Sequence, residues 1–457
     1  MSGLVFKSIN PYTQELIAEY PLMDEAGLEN AISQSSNAYS SWKKMSFSER
    51  AAILSNVAMI LRRDQELLAT GITREMGKII DEARGEVEKC AVTAEYYAEH
   101  AEGFLQDESL AAGYTKSFIS YQPIGVVLGI MPWNFPFWQV FRYAAPTLMA
   151  GNTTLLKHAP NVCGSAIALE KIFLEAGAPN GVFTSLIIDI PAVEKILASD
   201  KVQAVTLTGS ERAGSSVASI AGRYIKKSVM ELGGSDALIL LPDADMKKAV
   251  SVALNSRMLN AGQSCIGAKR FIILQEAMPA FMQEFLPRLK ELKQGDPFDK
   301  NTTTGPMARL DLVAALKKQV HQSVQMGATL EYGGEANGCN FKPGLLLNVR
   351  EGMPAFDEET FGPMAAVIVA KDEREAVRLA NDSRYGLGGS IWTKDIEKGI
   401  AIAKKMETGA VFINSLVKSD PRLPFGGVKK SGYGRELGRH GILEFVNAKT
   451  IAAEASS

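Results

Sequence analysis

The sequence predicts an α/β protein built on two doubly wound parallel sheets. Three observations lead there. Between Thr153 and Glu231, short β-branched runs alternate with helical patterns, the rhythm of a parallel sheet covered by helices. A second series of the same kind begins near Asp236. With 457 residues, 46% of them apolar, the chain can bury both cores without disulfides or a metal.

The first hundred residues read as helical. Ser46-Phe47-Ser48-Glu49 has capping-box spacing, and Ile53, Leu54, Val57, Ile60 and Leu61 then share one helical face. A longer helix runs from about Lys78 to about His100, with Ile79, Ile80, Ala83, Val87, Ala91 and Ala94 inward and Cys90 as a small apolar residue. From Tyr114 the pattern changes. Thr115–Tyr121 is β-rich and Ile124–Ile130 is apolar and β-branched. Strands follow at Thr153–Leu156, Val182–Ile188, Val202–Leu207 and Ser228–Glu231. Helices separate them at Ser165–Glu175, Pro191–Ala198 and Ala213–Arg223. Gly233-Gly234 reads as a hinge.

The second series has strands at Ala237–Leu241, Phe271–Leu274, Ala365–Val369 and Val411–Asn414. Its helices run over about Met246–Leu259, Ala277–Leu292, Leu312–Met326 and Glu373–Asn381. Phe445–Ala452 reads as a strand leaving the globular core. With Thr115–Tyr121 it makes two β-rich arms whose exposed edges suggest pairing between subunits.

Composition excludes several function classes. Lys and Arg total 49 against 51 Asp and Glu, so there is no basic footprint for nucleic acid. Four cysteines with no CxxC pair and four scattered histidines argue against a zinc site or a disulfide framework, and for a reducing, cytoplasmic setting. The N-terminus lacks a signal-peptide pattern, and glycines and Pro132 break the apolar run Ile124–Trp133, so it is no membrane span.

Several residues are equipped for chemistry. Cys265, in the polar loop Asn260-Ala261-Gly262-Gln263-Ser264-Cys265, is placed as a reachable soft nucleophile for a carbonyl, although most free cysteines are inert packing. Glu231 ends an apolar strand and faces the ligand crevice of a parallel sheet, where desolvation makes a general base; a hinge ion pair is the alternative. Thr208-Gly209-Ser210 joins a strand to a helix N-terminus, a setting for phosphate or for an ordinary tight turn. Pro132 and Pro136 fix the loop around Asn134, whose amide suits an oxyanion hole or a turn. Lys157 either holds a ribose hydroxyl or phosphate, or is solvated.

These motifs together resemble the aldehyde dehydrogenase superfamily over essentially the whole chain. The matches are Pro132-Trp133-Asn134-Phe135-Pro136, Gly209-Ser210, Glu231-Leu232-Gly233-Gly234, Gly262-Gln263-Ser264-Cys265, Glu359-Thr360-Phe361-Gly362-Pro363, Pro424-Phe425-Gly426-Gly427, and Lys430-Ser431-Gly432-Tyr433-Gly434-Arg435-Glu436. Lys157-His158-Ala159-Pro160 and the Ser419-Asp420-Pro421-Arg422 stretch look most like bacterial succinate-semialdehyde dehydrogenases.

The resemblance implies a Rossmann-like NAD(P) domain at 1–108 and 124–232, a catalytic domain at 233–440, and an oligomerisation arm at 109–123 and 441–457, in a homodimer or homotetramer. It implies that Cys265 attacks the aldehyde, that Asn134 holds the oxyanion, and that Glu231 activates water against the acyl-thioester. Trp133, Lys157, His158, Pro160, Gly209, Ser210, Leu232, Glu359 and Phe361 would contact the cofactor. NAD-specific relatives usually carry glutamate where Pro160 stands, so NADP should be accepted alongside NAD. Arg142 matches the arginine that holds the remote carboxylate in succinate-semialdehyde dehydrogenases, with an internal ion pair as the alternative. A second arginine of some members is Leu259 here, which leaves Ser419, or Arg422, to supply that contact. An acylating enzyme using coenzyme A would not need Glu231, and a non-catalytic relative would not need the full set.

Overall fold

Strands apolar along their whole length form the centres of two sheets, as coverage by helices on both faces requires. In the computed structural model, which describes residues 4–455, Val126–Met131 has five of six residues buried. Ala237–Leu240 and Arg270–Leu274 are buried throughout. The ends of the expected ranges, 1–3 and 456–457, lie outside the described residues.

The first sheet has the order Gly432–Tyr433, Lys227–Glu231, Val202–Thr208, Val126–Met131, Thr153–His158, Phe183–Ser185. All its pairings are parallel except that of Gly432–Tyr433 with Lys227–Glu231. The second sheet runs Thr329–Tyr332, Gly344–Leu347, Met364–Ala370, Arg270–Leu274, Ala237–Leu240, Gly388–Trp392, Ala410–Ile413. It is parallel except at its Thr329–Tyr332 edge.

Three departures have physical reasons. Residues expected to be helical begin instead with a hairpin, Val5–Ile9 against Leu16–Pro21. Asn10 starts its turn by accepting the Tyr12 and Thr13 N–H groups on Oδ1, the Asx geometry that competes with a helix. Gly388–Trp392 is a buried interior strand that two leading glycines disguise. Residue 440 is also not where the second unit ends: Gly432–Tyr433 joins the edge of the first sheet, and Tyr97 donates to the Gly438 carbonyl at 3.2 Å.

The capping box at Ser46 and Glu49 forms as expected and starts Phe47–Arg63. That helix packs on Ile80–Phe104, which packs in turn on Trp138–Met149, a helix buried in all its residues. The two β-rich arms pair with each other within the chain. Val446–Ala453 lies antiparallel to Lys116–Pro123 over eight residues, and Glu108–Ser109 covers the far side. The outer edge of Val446–Ala453 has no partner strand among the described residues. No helix among these residues is long and apolar enough to cross a membrane.

Candidate active site

The carboxyl ends of the first sheet face the amino ends of the second, and the candidate residues meet between them. Met131, Thr208 and Glu231 end adjacent strands of the first sheet. Their following loops bring Asn134, Gly209 and Leu232 to one cleft of about 360 Å³. From the second sheet, Cys265 precedes Arg270–Leu274, and Glu359 and Phe361 precede Met364–Ala370. Cys265 lines this cleft and also a smaller pocket of about 90 Å³ on its other side, bounded by Trp138, Arg142, Ser419 and Lys89. The thiol therefore stands at the junction of two cavities.

The loop that carries the thiol is held in an unusual backbone. Asn260 and Ala261 have φ of 55° and 51°, and Gly262 follows at 73°. Such a run persists only where surrounding contacts over-determine it. Buried Arg257 donates from Nη2 to the carbonyls of Gly262 at 2.5 Å and Gly362 at 2.7 Å. A Cβ on Gly262 would stand 2.3 Å from that Gly362 oxygen. Buried Lys269 donates to the Ser264 and Cys265 carbonyls at 2.8 and 2.7 Å. Glu82 accepts the Asn260 N–H at 2.9 Å. Burial pushes the Cys265 thiol up to about 11, while Arg142 and Lys269 pull it back.

Asn134 lies across the cleft from this loop. Its Nδ2 donates one hydrogen to the Gln263 carbonyl at 3.0 Å, which fixes the amide and leaves the second hydrogen free. Glu231 is 2% exposed, and neither of its oxygens has a hydrogen-bond partner. Its carboxylate is withdrawn: it lines neither cavity. Desolvation and then the neighbouring Glu436 raise its pKa well above the usual range, with Arg142 opposing. Burial raises Glu436 too, but Arg142, 2.6 Å away, favours its charged form, so of the two acids Glu231 is the one held more firmly protonated.

The larger cleft offers groups suited to a phosphate and a ribose. A Cβ on Gly209 would meet no heavy atom closer than 3.5 Å, so the missing side chain leaves open cleft rather than relieving a clash. Ser210 caps the following helix, Glu211–Arg223, whose first N–H groups face that space. Trp133 and Phe361 meet edge-to-face at 5.8 Å on the same wall. Glu359 accepts from Gly234 N–H at 3.1 Å through Oε1, with Lys269 3.6 Å away, leaving Oε2 for a ligand. Lys157 is buried with only a 3.5 Å contact to the His158 carbonyl and no carboxylate partner, while Pro160 is exposed beside it.

His158 does not fit its expected role. Its Nδ1 accepts from Ala159 N–H at 2.9 Å, so Nε2 carries the proton and donates to the Pro136 carbonyl at 2.8 Å. Both ring nitrogens are occupied, the side chain is buried, and burial lowers its pKa to about 4. The ring is a neutral brace between two loops.

Arg142 also departs from expectation. Besides the Glu436 ion pair, Nη2 donates to Thr208 Oγ1 at 3.1 Å, and the guanidinium lies 4.5 Å from the Phe425 ring centre. Its charge is neutralised within the protein. We expect Arg142→Met to lower unfolding free energy by about 3–5 kcal/mol, because Glu436 is left buried and unpaired. Urea denaturation reads this, and a loss below about 1 kcal/mol would mean the pair is dispensable. Arg422 is committed to Asp420 at 2.7 Å and is largely exposed. Ser419, in contrast, lines the small pocket, where its Oγ accepts from Trp138 Nε1 at 3.0 Å and from Lys89 Nζ at 2.9 Å.

Lys89 was not among the candidates read from the sequence. Its position on a charged helix, with Glu86 and Glu82 one and two turns before it, reads as an ordinary solvated lysine. Arg257, Lys269 and Glu82, which hold the cysteine loop, were missed too, because nothing in spacing alone links them to it.

The family model described as the aldehyde dehydrogenase family matches residues 2–451. A probable succinate-semialdehyde dehydrogenase [NADP(+)] of Synechocystis is 46% identical over 98% of this chain and 99% of its own. A succinate semialdehyde dehydrogenase [NAD(P)+] of Escherichia coli is 44% identical over 97% of each chain. Among solved structures, succinic semialdehyde dehydrogenase from Streptococcus pyogenes in complex with NADP+ superposes with a TM-score of 0.97. It is 41% identical, and the match covers 98% of this chain and all of that one.

Proposed function

The chain belongs to the aldehyde dehydrogenase family, and from that premise we propose that it oxidises an aldehyde to a carboxylic acid with NADP or NAD, succinate semialdehyde to succinate foremost. The observation that supports this best is the position of Cys265 between the cleft lined by Gly209, Ser210, Glu359 and Phe361 and a small pocket lined by cations. The dinucleotide, when bound, supplies a hydride acceptor beside the thiol.

The chain's own groups do the rest. Cys265, once deprotonated, attacks the aldehyde carbon and forms a thiohemiacetal. The free Asn134 amide hydrogen and the Cys265 N–H stabilise the oxyanion. Its collapse expels the aldehyde hydrogen as hydride, for which the bound dinucleotide would be the acceptor, and leaves an acyl-thioester on Cys265. Glu231, once it has released its own proton to solvent, then takes a proton from water, which hydrolyses the thioester and releases the acid. For this, the Glu231 side chain must rotate from beside Glu436 toward the thiol. Trp133, Gly209, Ser210, Leu232, Glu359 and Phe361 hold the dinucleotide. Lys157, with no acid at Pro160, receives the adenosine side. The free edge of Val446–Ala453 is our candidate for pairing with a second copy.

A panel of succinate semialdehyde, glutarate semialdehyde and butanal against both dinucleotides tests the reading. We expect succinate semialdehyde to give the highest kcat/KM. We expect NADP to match or exceed NAD, and Lys157→Met to weaken NADP use about tenfold while changing NAD use less. A hundredfold preference for NAD would overturn the cofactor assignment. Butanal turning over as well as the semialdehyde would overturn the substrate.

A further inference from the structure

We propose that Lys89, together with the Ser419 hydroxyl, receives the carboxylate of an acidic aldehyde and is the residue that selects acidic over neutral substrates. This rests on the semialdehyde reading above and assigns the carboxylate to a different cation from Arg142.

The small pocket is lined by both Cys265 and Lys89. Lys89 comes from Ile80–Phe104, and its Nζ lies 4.0 Å from the Trp138 ring centre and 2.9 Å from Ser419 Oγ. Among the described residues, no carboxylate stands within ion-pair distance of it. The two acids whose fields reach it are already committed. Glu86 pairs with Lys78 and accepts the Phe137 and Trp138 N–H groups, and Asp420 pairs with Arg422. Two other cations line this pocket: Arg142, which is paired with Glu436, and Lys418, which is exposed to solvent. Lys89 is therefore the unpaired cation held inside the pocket, against Ser419 and Trp138, whereas Lys418 extends to solvent.

Ser419 completes the receptor. Its oxygen already accepts two hydrogen bonds, from Lys89 and Trp138. Its own proton is left to donate, and the pocket offers the direction. A carboxylate entering there gains one ammonium and one hydroxyl donor. Burial lowers the pKa of Lys89 to about 8 when no anion is present, and a bound carboxylate would offset that penalty. A neutral aldehyde gains neither contact and leaves Lys89 as it was.

The test compares wild type, Lys89→Met and Lys89→Arg with saturating NADP. Methionine keeps an unbranched stem over Trp138 without the charge. For Lys89→Met we expect kcat/KM on succinate semialdehyde to fall about 10- to 100-fold, mainly through KM, with butanal changed by no more than about twofold. Lys89→Arg should recover much of the loss. As a second readout, succinate should inhibit butanal oxidation by wild type and do so at least about tenfold more weakly in Lys89→Met. Equal losses on both aldehydes, or an unchanged preference and unchanged succinate inhibition, would overturn the role of Lys89. A wild type indifferent between the two aldehydes would instead overturn the substrate reading, while succinate inhibition would still report whether Lys89 binds a carboxylate.

Discussion

Cys265→Ala lowers aldehyde-dependent reduction of the dinucleotide by on the order of 10⁴-fold or more, because the substitution removes the atom that forms the covalent intermediate. Loss of activity by itself would not separate chemistry from folding, and the structure offers the control. The loop around residue 265 is held through main-chain carbonyls, by Arg257 at Gly262 and by Lys269 at Ser264 and Cys265. Alanine keeps all of these, so dinucleotide binding and thermal stability should stay close to wild type. The pH dependence has a definite sign. With the thiol raised to about 11 by burial, the reactive thiolate is a minor species at neutral pH. Its fraction grows about tenfold per pH unit below that value, so the wild-type acylation rate should climb toward alkaline pH. A Cys265→Ala enzyme with more than a few per cent of wild-type turnover would remove Cys265 as the nucleophile.

The fold was legible in the sequence where periodicity and burial agree. Val202–Leu207 is largely apolar and β-branched and Phe271–Leu274 is an apolar run, and they became strands within one residue of the expected limits. Gly388–Trp392 was not legible, because a strand that opens on two glycines loses its β signal although the site's second sheet depends on it. Within the site, residues on strand-end loops could be found, because chemistry there has a local pattern. Cys265, Asn134 and Glu359 do line one cleft. Roles that depend on a partner far along the chain could not be found. Nothing around Arg142 announces that Glu436 neutralises it, and nothing around Lys89 announces that Ser419 and Trp138 are its neighbours. His158 shows the same limit: its ring looked available until Pro136 and Ala159 took both nitrogens.

Glu231→Gln should split the reaction at its midpoint. The first turnover of dinucleotide reduction should survive as a burst, while steady-state turnover falls about 10²- to 10⁴-fold, the usual range for losing a general base. The reason lies in the charge arrangement behind the cleft. Glu231 and Glu436 are buried together; Arg142 is in contact with Glu436, and Arg435, the second guanidinium whose field reaches Glu231, donates to the Gly427 and Gly434 carbonyls. Glu231 therefore holds its proton well past the normal carboxylate range and becomes a base only as pH rises. Hydrolysis of the acyl-thioester should accelerate with pH through that raised value in wild type. Glutamine has no proton to lose, so the variant's residual rate should lack that limb. Its amide has nearly the same shape, so the burst amplitude should still count one dinucleotide reduced per active site. Normal steady-state turnover in Glu231→Gln would mean another group activates water. A burst that falls in proportion to the steady state would mean that Glu231 also removes the proton from Cys265, and would move its action to the first step.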